Sequence, residues 1–136
     1  MRTLFADTFY WAAMLNPRDQ WHDEVKRFNQ TLGAVKIVTT DEVITEFLNF
    51  FSGFEAVIKQ GAAQRAVLIL RSPMVQVIPQ SRMTFLAGLR LYEQRLDKGF
   101  SLTDCISMET MKSLNITEVL THDRHFRQES FQILFP

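Results

Sequence analysis

The sequence has few of the residues that mark secreted, membrane-bound or disulfide-rich proteins. Cys105 is the only cysteine among 136 residues, so an intrachain disulfide is excluded and a cysteine-based zinc site is not indicated. The first residues lack the basic-then-apolar order of a signal peptide. Charged residues interrupt every apolar run well before the length of a membrane span. We therefore expect a soluble, cytoplasmic protein with no membrane segment.

The chain also lacks net charge and the common phosphate-binding loops. Fifteen basic residues balance fifteen acidic ones, so no overall field attracts nucleic acid, and any such binding needs a local cluster of Arg and Lys. No Gly-rich phosphate loop, nucleophile elbow or dinucleotide fingerprint occurs. The three histidines show no spacing typical of a metal site, since His122 and His125 fall in a predicted strand-to-loop turn.

Apolar residues are abundant. They make up 46% of the chain, with twelve Phe against two Tyr. A chain of 136 residues can bury a sizeable core, so we expect one domain spanning residues 1–136.

Short apolar runs alternate with longer segments of helical periodicity. This alternation predicts an α/β fold of three layers, α/β/α, with a central parallel sheet of four to five strands and helices on both faces. Thr39, three residues before Glu42, predicts a capping box for the helix that follows the second strand. Phe85, Leu89, Tyr92 and Leu96 mark a long later helix by their spacing, and it is expected to end before Gly99. The predicted strands are Arg2–Ala6, Val35–Val38, Val75–Ile78, Glu118–Thr121 and, at the edge, Phe131–Leu134.

Four acidic residues lie just past a predicted strand or just inside a predicted helix: Asp7, Glu46, Asp104 and Asp123. In an open parallel sheet, ligands bind outside the carboxyl ends of the strands. Four carboxylates that converge there repel one another unless a cation neutralises them. A hard divalent ion, Mg²⁺ or Mn²⁺, is the simplest neutraliser, and such a site indicates phosphate chemistry.

Each acid also has a purely structural interpretation. Asp7 can cap a helix, Asp104 fits a capping box with Ser101, and Asp123 can belong to a surface turn. Glu46 is the most informative, because its helix is apolar on nearly every side and burying an unpaired carboxylate is costly.

Taken together, four segments resemble the PIN-domain ribonucleases, and most closely the VapC-type toxins of type II toxin–antitoxin pairs. The resemblance spans nearly the whole chain. The matching segments are Leu4-Phe5-Ala6-Asp7-Thr8, Thr39-Thr40-Asp41-Glu42-Val43-Ile44-Thr45-Glu46, Ser101-Leu102-Thr103-Asp104-Cys105-Ile106-Ser107 and Leu120-Thr121-His122-Asp123-Arg124-His125-Phe126.

The resemblance implies a metal-dependent endoribonuclease. Asp7, Asp104 and Asp123 are then expected to hold one or two Mg²⁺ or Mn²⁺ ions, and Glu46 to bind a metal through water or orient the attacking water. It further implies a homodimer and a small antitoxin protein as partners. The expected supporting residues are Thr8 and Thr121, and the expected contacts to RNA phosphates, chosen by their proximity in sequence to the acids, are Arg124, Arg127 and Lys36.

Two other families that use an Asp at a strand end fit the sequence less well. Haloacid-dehalogenase-type phosphatases need a second Asp two residues after the first, where this chain has Phe9. Response-regulator receivers need an acceptor Asp after a later strand and a Lys near the end, and neither is present. Two alternatives remain: a PIN-like module that binds RNA or protein without catalysis, and a stand-alone RNA-processing nuclease.

A run of phenylalanines suggests a second surface. Phe47, Phe50, Phe51 and Phe54 are expected to be mainly core. A segment with so many large apolar side chains can also expose some of them, and exposed apolar patches mark partner surfaces. We expect this helix and the next to help form a homodimer interface or to receive an antitoxin segment.

Overall fold

A computed structural model describes every residue from 1 to 136. Five strands alternate with six α-helices, and a short 3-10 helix precedes the last strand. The strands are β1 (Arg2–Ala6), β2 (Val35–Thr40), β3 (Val75–Ile78), β4 (Glu118–Leu120) and β5 (Gln132–Ile133). The α-helices are α1 (Thr8–Leu15), α2 (His22–Thr31), α3 (Asp41–Phe50), α4 (Ala56–Arg71), α5 (Arg82–Gln94) and α6 (Leu102–Ser113), and the 3-10 helix is Arg124–Glu129.

The strands form one parallel sheet in the order β3-β2-β1-β4-β5. In β1 the consecutive residues Leu4, Phe5 and Ala6 all have no exposed surface. Since successive side chains of a strand point to opposite faces, helices must cover both faces of the sheet. The three-layer α/β/α fold and the parallel sheet expected from the sequence are confirmed, including β5 at the edge.

The core is built largely from phenylalanine and aliphatic side chains. Phe5, Phe47, Phe51 and Phe126 are among its largest members and have no exposed surface. Cys105 is also fully buried and packs as a small apolar residue in the core. None of the helices combines the length and apolar character needed to cross a bilayer.

Two local predictions were wrong. The side chain that caps α3 is Thr40, which accepts a hydrogen bond from the backbone N–H of Val43 at 3.1 Å. Thr39 is still part of β2, and its hydroxyl donates instead to the carbonyl of Ala6 in the neighbouring strand at 2.9 Å. Helix α5 ends at Gln94, so Leu96 lies beyond it.

Helix α5 packs on α6 at very close range. Gly88 lies at this contact, and a Cβ atom there would overlap the side chain of Ile106 and lie 3.1 Å from its backbone nitrogen. This contact fixes the position of α6, whose first turn carries Asp104.

Candidate metal centre

Asp7 follows the central strand and its side chain is almost fully buried, with 6% of its surface exposed. It occupies the N-cap position of α1, but its carboxylate makes no capping hydrogen bond. One carboxylate oxygen instead accepts a hydrogen bond from the hydroxyl of Thr121 at 2.9 Å. The simple capping interpretation of Asp7 therefore does not account for its side chain.

Thr121 connects two of the acids. It directly follows β4, which pairs with β1 through Ala6 and Leu120, so it lies beside Asp7 despite 114 residues of separation. Its hydroxyl oxygen also accepts a hydrogen bond from the backbone N–H of Asp123 at 3.1 Å. A single buried hydroxyl thus orients the Asp7 carboxylate and fixes the backbone that carries Asp123.

Asp104 is part of a capping box at the start of α6, as its spacing from Ser101 predicted. The Ser101 hydroxyl accepts from the Asp104 N–H at 3.0 Å, and the Asp104 carboxylate accepts from the Ser101 N–H at 3.1 Å. Its side chain is largely buried, and its pKa is raised above the ordinary value, mainly by burial and then by the charges of Asp123 and Glu46. The cap therefore holds a carboxylate that also interacts with the other acids.

Glu46 projects from the middle of α3 and is half-buried. Its carboxylate accepts a hydrogen bond from the hydroxyl of Thr8 at 2.5 Å. Thr8 therefore supports Glu46 by its side chain rather than donating its hydroxyl to Asp7.

Asp123 caps the short 3-10 helix. Its carboxylate accepts a hydrogen bond from the backbone N–H of His125 at 2.9 Å, and its side chain keeps 37% of its surface exposed. Each of the four acids is thus held by a donor of its own, which leaves carboxylate oxygens free for a further partner.

The electrostatics show that these acids share one region. The pKa of Asp7 is raised from 3.8 to about 7, first by burial and then by the charge of Asp104, with a smaller contribution from Glu46. Besides burial, the charges of Asp123 and Glu46 raise the pKa of Asp104. No Lys or Arg forms an ion pair with any of the four acids.

A histidine that sequence reasoning missed lies against two of these acids. Nδ1 of His125 is 3.3 Å from Asp123 Oδ1 and 3.7 Å from Asp104 Oδ2, so the ligand-type atoms of all three residues lie within 4.8 Å of one another. The sequence held one signal for His125, its position two residues after Asp123. An Asp side chain often accepts a hydrogen bond from the backbone N–H two residues later, which turns the chain and brings the two side chains close together. His122 has a structural role, with Nδ1 2.7 Å from the carbonyl oxygen of Phe135.

The basic residues chosen for phosphate contact divide into two groups. Arg124 and Arg127 are exposed on the 3-10 helix that Asp123 caps, and neither forms an ion pair. Lys36 pairs with Thr3 near the start of β2, and about 13 Å of strand separates it from Thr40 at the carboxyl end. The structure therefore does not bring Lys36 to the acids, because the strand between them is extended.

The fold is an α/β domain with four carboxylates at the carboxyl edge of a parallel sheet. Each carboxylate accepts a hydrogen bond and none is paired with Lys or Arg, an arrangement whose oxygen ligands are of the type that a hard metal ion prefers. An orphaned, buried Nδ1 atom on His125 at the same place fits a cation as the missing partner.

Comparison with known proteins identifies the family. The PIN domain family model matches residues 4–131, and the chain belongs to this family. Comparison with curated protein sequences gives no match. Among solved structures, the fold is similar to that of Mycobacterium tuberculosis VapC20, described as a toxin that cleaves the sarcin–ricin loop. The TM-score is 0.84 at 21% sequence identity, and the match covers 94% of this chain and 95% of that one. With a sequence identity of 21%, the similarity to VapC20 shows a shared fold and nothing further.

Proposed function

We propose that this protein is a metal-dependent endoribonuclease, the toxin of a toxin–antitoxin pair. The observation that carries the proposal is the set of four carboxylates at one edge of the sheet with no Lys or Arg paired to them, where burial and then repulsion by neighbouring acids raise the pKa values of Asp7 and Asp104. Repulsion of this kind is relieved by a hard divalent cation, and carboxylate oxygens are the ligands that Mg²⁺ and Mn²⁺ prefer.

In this proposal the side chains have distinct roles. Asp7, Asp104 and Asp123 hold Mg²⁺ or Mn²⁺, while Glu46, oriented by Thr8, positions the attacking water. Thr121 keeps the Asp7 carboxylate facing the site. When bound, the cation supplies positive charge to the scissile phosphate and makes a nearby water more acidic.

The surface beside the acids is suited to RNA. Arg124 and Arg127 supply positive charge next to Asp123, and we propose that they contact phosphates. On the α3 side a depression is lined only by polar residues, which are the acids Glu42 and Glu46 and the neutral residues Thr45, Asn49, Gln80 and Thr103. Hydroxyl and amide groups can bond to riboses and to the base edges of unpaired nucleotides. Because the structurally similar VapC20 cleaves the sarcin–ricin loop, a stem-loop of that RNA is the first substrate to test.

We further propose that the protein acts in the cytoplasm as a homodimer that a small antitoxin inhibits. Phe47 and Phe51 are fully buried, but Phe50 is 54% exposed and Phe54 39% exposed. Val57, at the start of α4, is 75% exposed. These neighbouring apolar side chains form a surface that a second copy or an antitoxin segment can cover.

Two alternatives share the fold, namely a catalytically silent binding module and a stand-alone RNA-processing nuclease. The completeness of the site favours catalysis, since all four acids are present and each has its own hydrogen-bond donor. An adjacent gene for a DNA-binding antitoxin would favour the toxin over the processing nuclease.

The catalytic proposal is tested with Asp104→Asn in an RNA cleavage assay with Mg²⁺ or Mn²⁺. The amide oxygen of Asn can still accept the hydrogen bond from Ser101, so the cap on α6 is kept while the charge is removed. We expect cleavage to fall more than about 100-fold, the effect of losing one well-placed electrostatic group in an active site.

Asp23→Asn is the matched control, because Asp23 is exposed on α2 and outside the site. Cleavage by this control should equal that of the wild type, and EDTA should abolish it. Full activity in Asp104→Asn, or cleavage that persists in EDTA, contradicts the proposal.

A further inference from the structure

His125 presents an unusual polar atom to the site. Its Nδ1 has essentially no exposed surface and no hydrogen-bond partner, although the side chain as a whole is 35% exposed. A buried polar nitrogen without a partner costs free energy, and such groups in folded proteins normally have an explanation. The atoms that face Nδ1 are carboxylate oxygens of Asp123 and Asp104, at 3.3 and 3.7 Å.

The ring is also held in place. The His125 backbone N–H donates to Asp123, so the residue cannot move independently of that acid. Phe100 packs edge-on against the imidazole with ring centroids 5.4 Å apart. Gly99 is on the Nε2 side, where a Cβ atom would be 3.8 Å from that nitrogen. Phe100 and Gly99 therefore support an orientation in which Nδ1 faces the acids.

The spacing of the three residues suits one shared ion. Ligand atoms that are each about 2.1 Å from a common metal ion stand about 3 to 4 Å apart. The distances from Nδ1 to the two carboxylates lie in that range. Imidazole binds first-row transition ions well, whereas Mg²⁺ is bound mainly by carboxylate and water oxygens.

We propose that His125 is a direct metal ligand through Nδ1, with Asp104 and Asp123, and that it gives the site a preference for Mn²⁺ over Mg²⁺. This inference rests on the proposed function, because it concerns the same cation. It adds a nitrogen ligand to the four acids and assigns to it the choice of metal.

A second role for the imidazole predicts the opposite result. If His125 is charged and only neutralises Asp104 and Asp123, it competes with the metal. Removing it then leaves the affinity for Mn²⁺ unchanged or strengthens it. If His125 is a ligand, removing it weakens the binding of Mn²⁺ more than that of Mg²⁺. The sign of the change separates the two roles.

The experiment is calorimetric titration of the metal-free protein with Mn²⁺ and with Mg²⁺, for the wild type, His125→Asn and His125→Asp. In His125→Asn the ratio of Mn²⁺ to Mg²⁺ affinity should fall at least about tenfold, the loss seen even for residues that only support a metal ligand. In His125→Asp a hard oxygen ligand replaces nitrogen, so Mg²⁺ affinity should be kept while the preference for Mn²⁺ is lost.

A spectroscopic readout accompanies the titration. Pulsed electron paramagnetic resonance of the Mn²⁺-loaded wild type should show coupling to a directly bound imidazole nitrogen, and both variants should lack it. An unchanged ratio of affinities in both variants, or no nitrogen coupling in the wild type, overturns the inference. A wild type that binds neither ion overturns the proposed function itself, so the two failures are distinguishable.

Discussion

At the scale of single residues, the site stores unfavourable free energy in Asp7. Its carboxyl has an ordinary pKa of 3.8 and a pKa of about 7 in the folded protein, mainly because it is buried. Between these two values the folded state binds more protons than the unfolded state. Stability of the metal-free protein must therefore fall as the pH rises from about 4 to about 7. The shift corresponds to roughly 4 kcal/mol, at about 1.4 kcal/mol per pKa unit.

This linkage predicts that Asp7→Asn stabilises the metal-free protein at neutral pH. Asn is uncharged, and its amide oxygen can still accept the hydrogen bond from Thr121. In EDTA at pH 8 we expect the free energy of unfolding to rise by up to about 4 kcal/mol, while at pH 4 the variant and the wild type should be nearly equal. Urea denaturation at the two pH values measures the difference, and cleavage activity should be lost.

The exposed Asp23→Asn serves as the control and should shift stability little at either pH. An Asp7→Asn variant that is no more stable than the wild type at pH 8 would show that burial of the Asp7 charge does not destabilise the metal-free protein. Added Mn²⁺ should remove most of the advantage of the variant, because the cation relieves the same repulsion in the wild type.

Some residues of the site could be predicted from the sequence and others could not. Asp7, Asp104 and Asp123 could be selected from the sequence because each lies near the end of a strand or the start of a helix. Glu46 could be selected because it is a lone acid in the middle of a largely apolar helix. For His125 the sequence signalled only its closeness to Asp123, since its approach to Asp104 depends on how the 3-10 helix is placed against α6. Proximity in sequence misled in the case of Lys36, because an extended strand carries residues apart quickly.

At the scale of elements, the close contact between α5 and α6 helps to set the position of Asp104 in the first turn of α6. Gly88 is buried there, and a Cβ atom at this position would meet both the side chain and the backbone of Ile106. Helix α6 cannot move away freely, because Cys105, Met108 and Met111 on its other side are buried in the core. The absence of a side chain at Gly88 is therefore a requirement of packing.

We predict that Gly88→Ala destabilises the protein by about 1 to 3 kcal/mol, the usual cost of overpacking. The matched control is Gly61→Ala in α4, where a Cβ atom would be 3.5 Å from a Leu15 methyl group, an ordinary contact. That control should gain up to about 1 kcal/mol from the higher helix propensity of Ala. Urea denaturation of the two variants checks the opposite signs, and a stabilised Gly88→Ala would contradict the packing argument.

The elements themselves were largely predictable, since apolar alternation, prolines and caps mark their limits. The use of an apolar face was harder to predict. Phe85 and Tyr92 marked α5 by their spacing, yet they are 37% and 40% exposed, while the buried residues of that helix are Gly88 and Leu91. Periodicity identifies an apolar stripe but does not say whether it contacts the protein's own core or a partner.

At the scale of the whole molecule, a single chain leaves much apolar surface uncovered. The exposed residues Phe50, Phe54 and Val57 follow one another along the segment that leads from α3 into α4, and the rings of Phe50 and Phe54 are 5.6 Å apart. The proposed homodimer would bury this surface.

Val57→Glu tests this interface with little risk to the fold, because Val57 is 75% exposed. Burying an unpaired carboxylate in the dimer should cost roughly 3 kcal/mol and weaken dimerisation by about 100-fold.

Leu96→Glu is the matched control, since Leu96 is 76% exposed but lies beyond α5 and outside the proposed interface. Light scattering after size-exclusion chromatography should show dimers for the wild type and the control, and monomers for Val57→Glu. A wild type that stays monomeric at high concentration, or a Val57→Glu variant that dimerises as well as the control, would rule out this surface as the dimer interface.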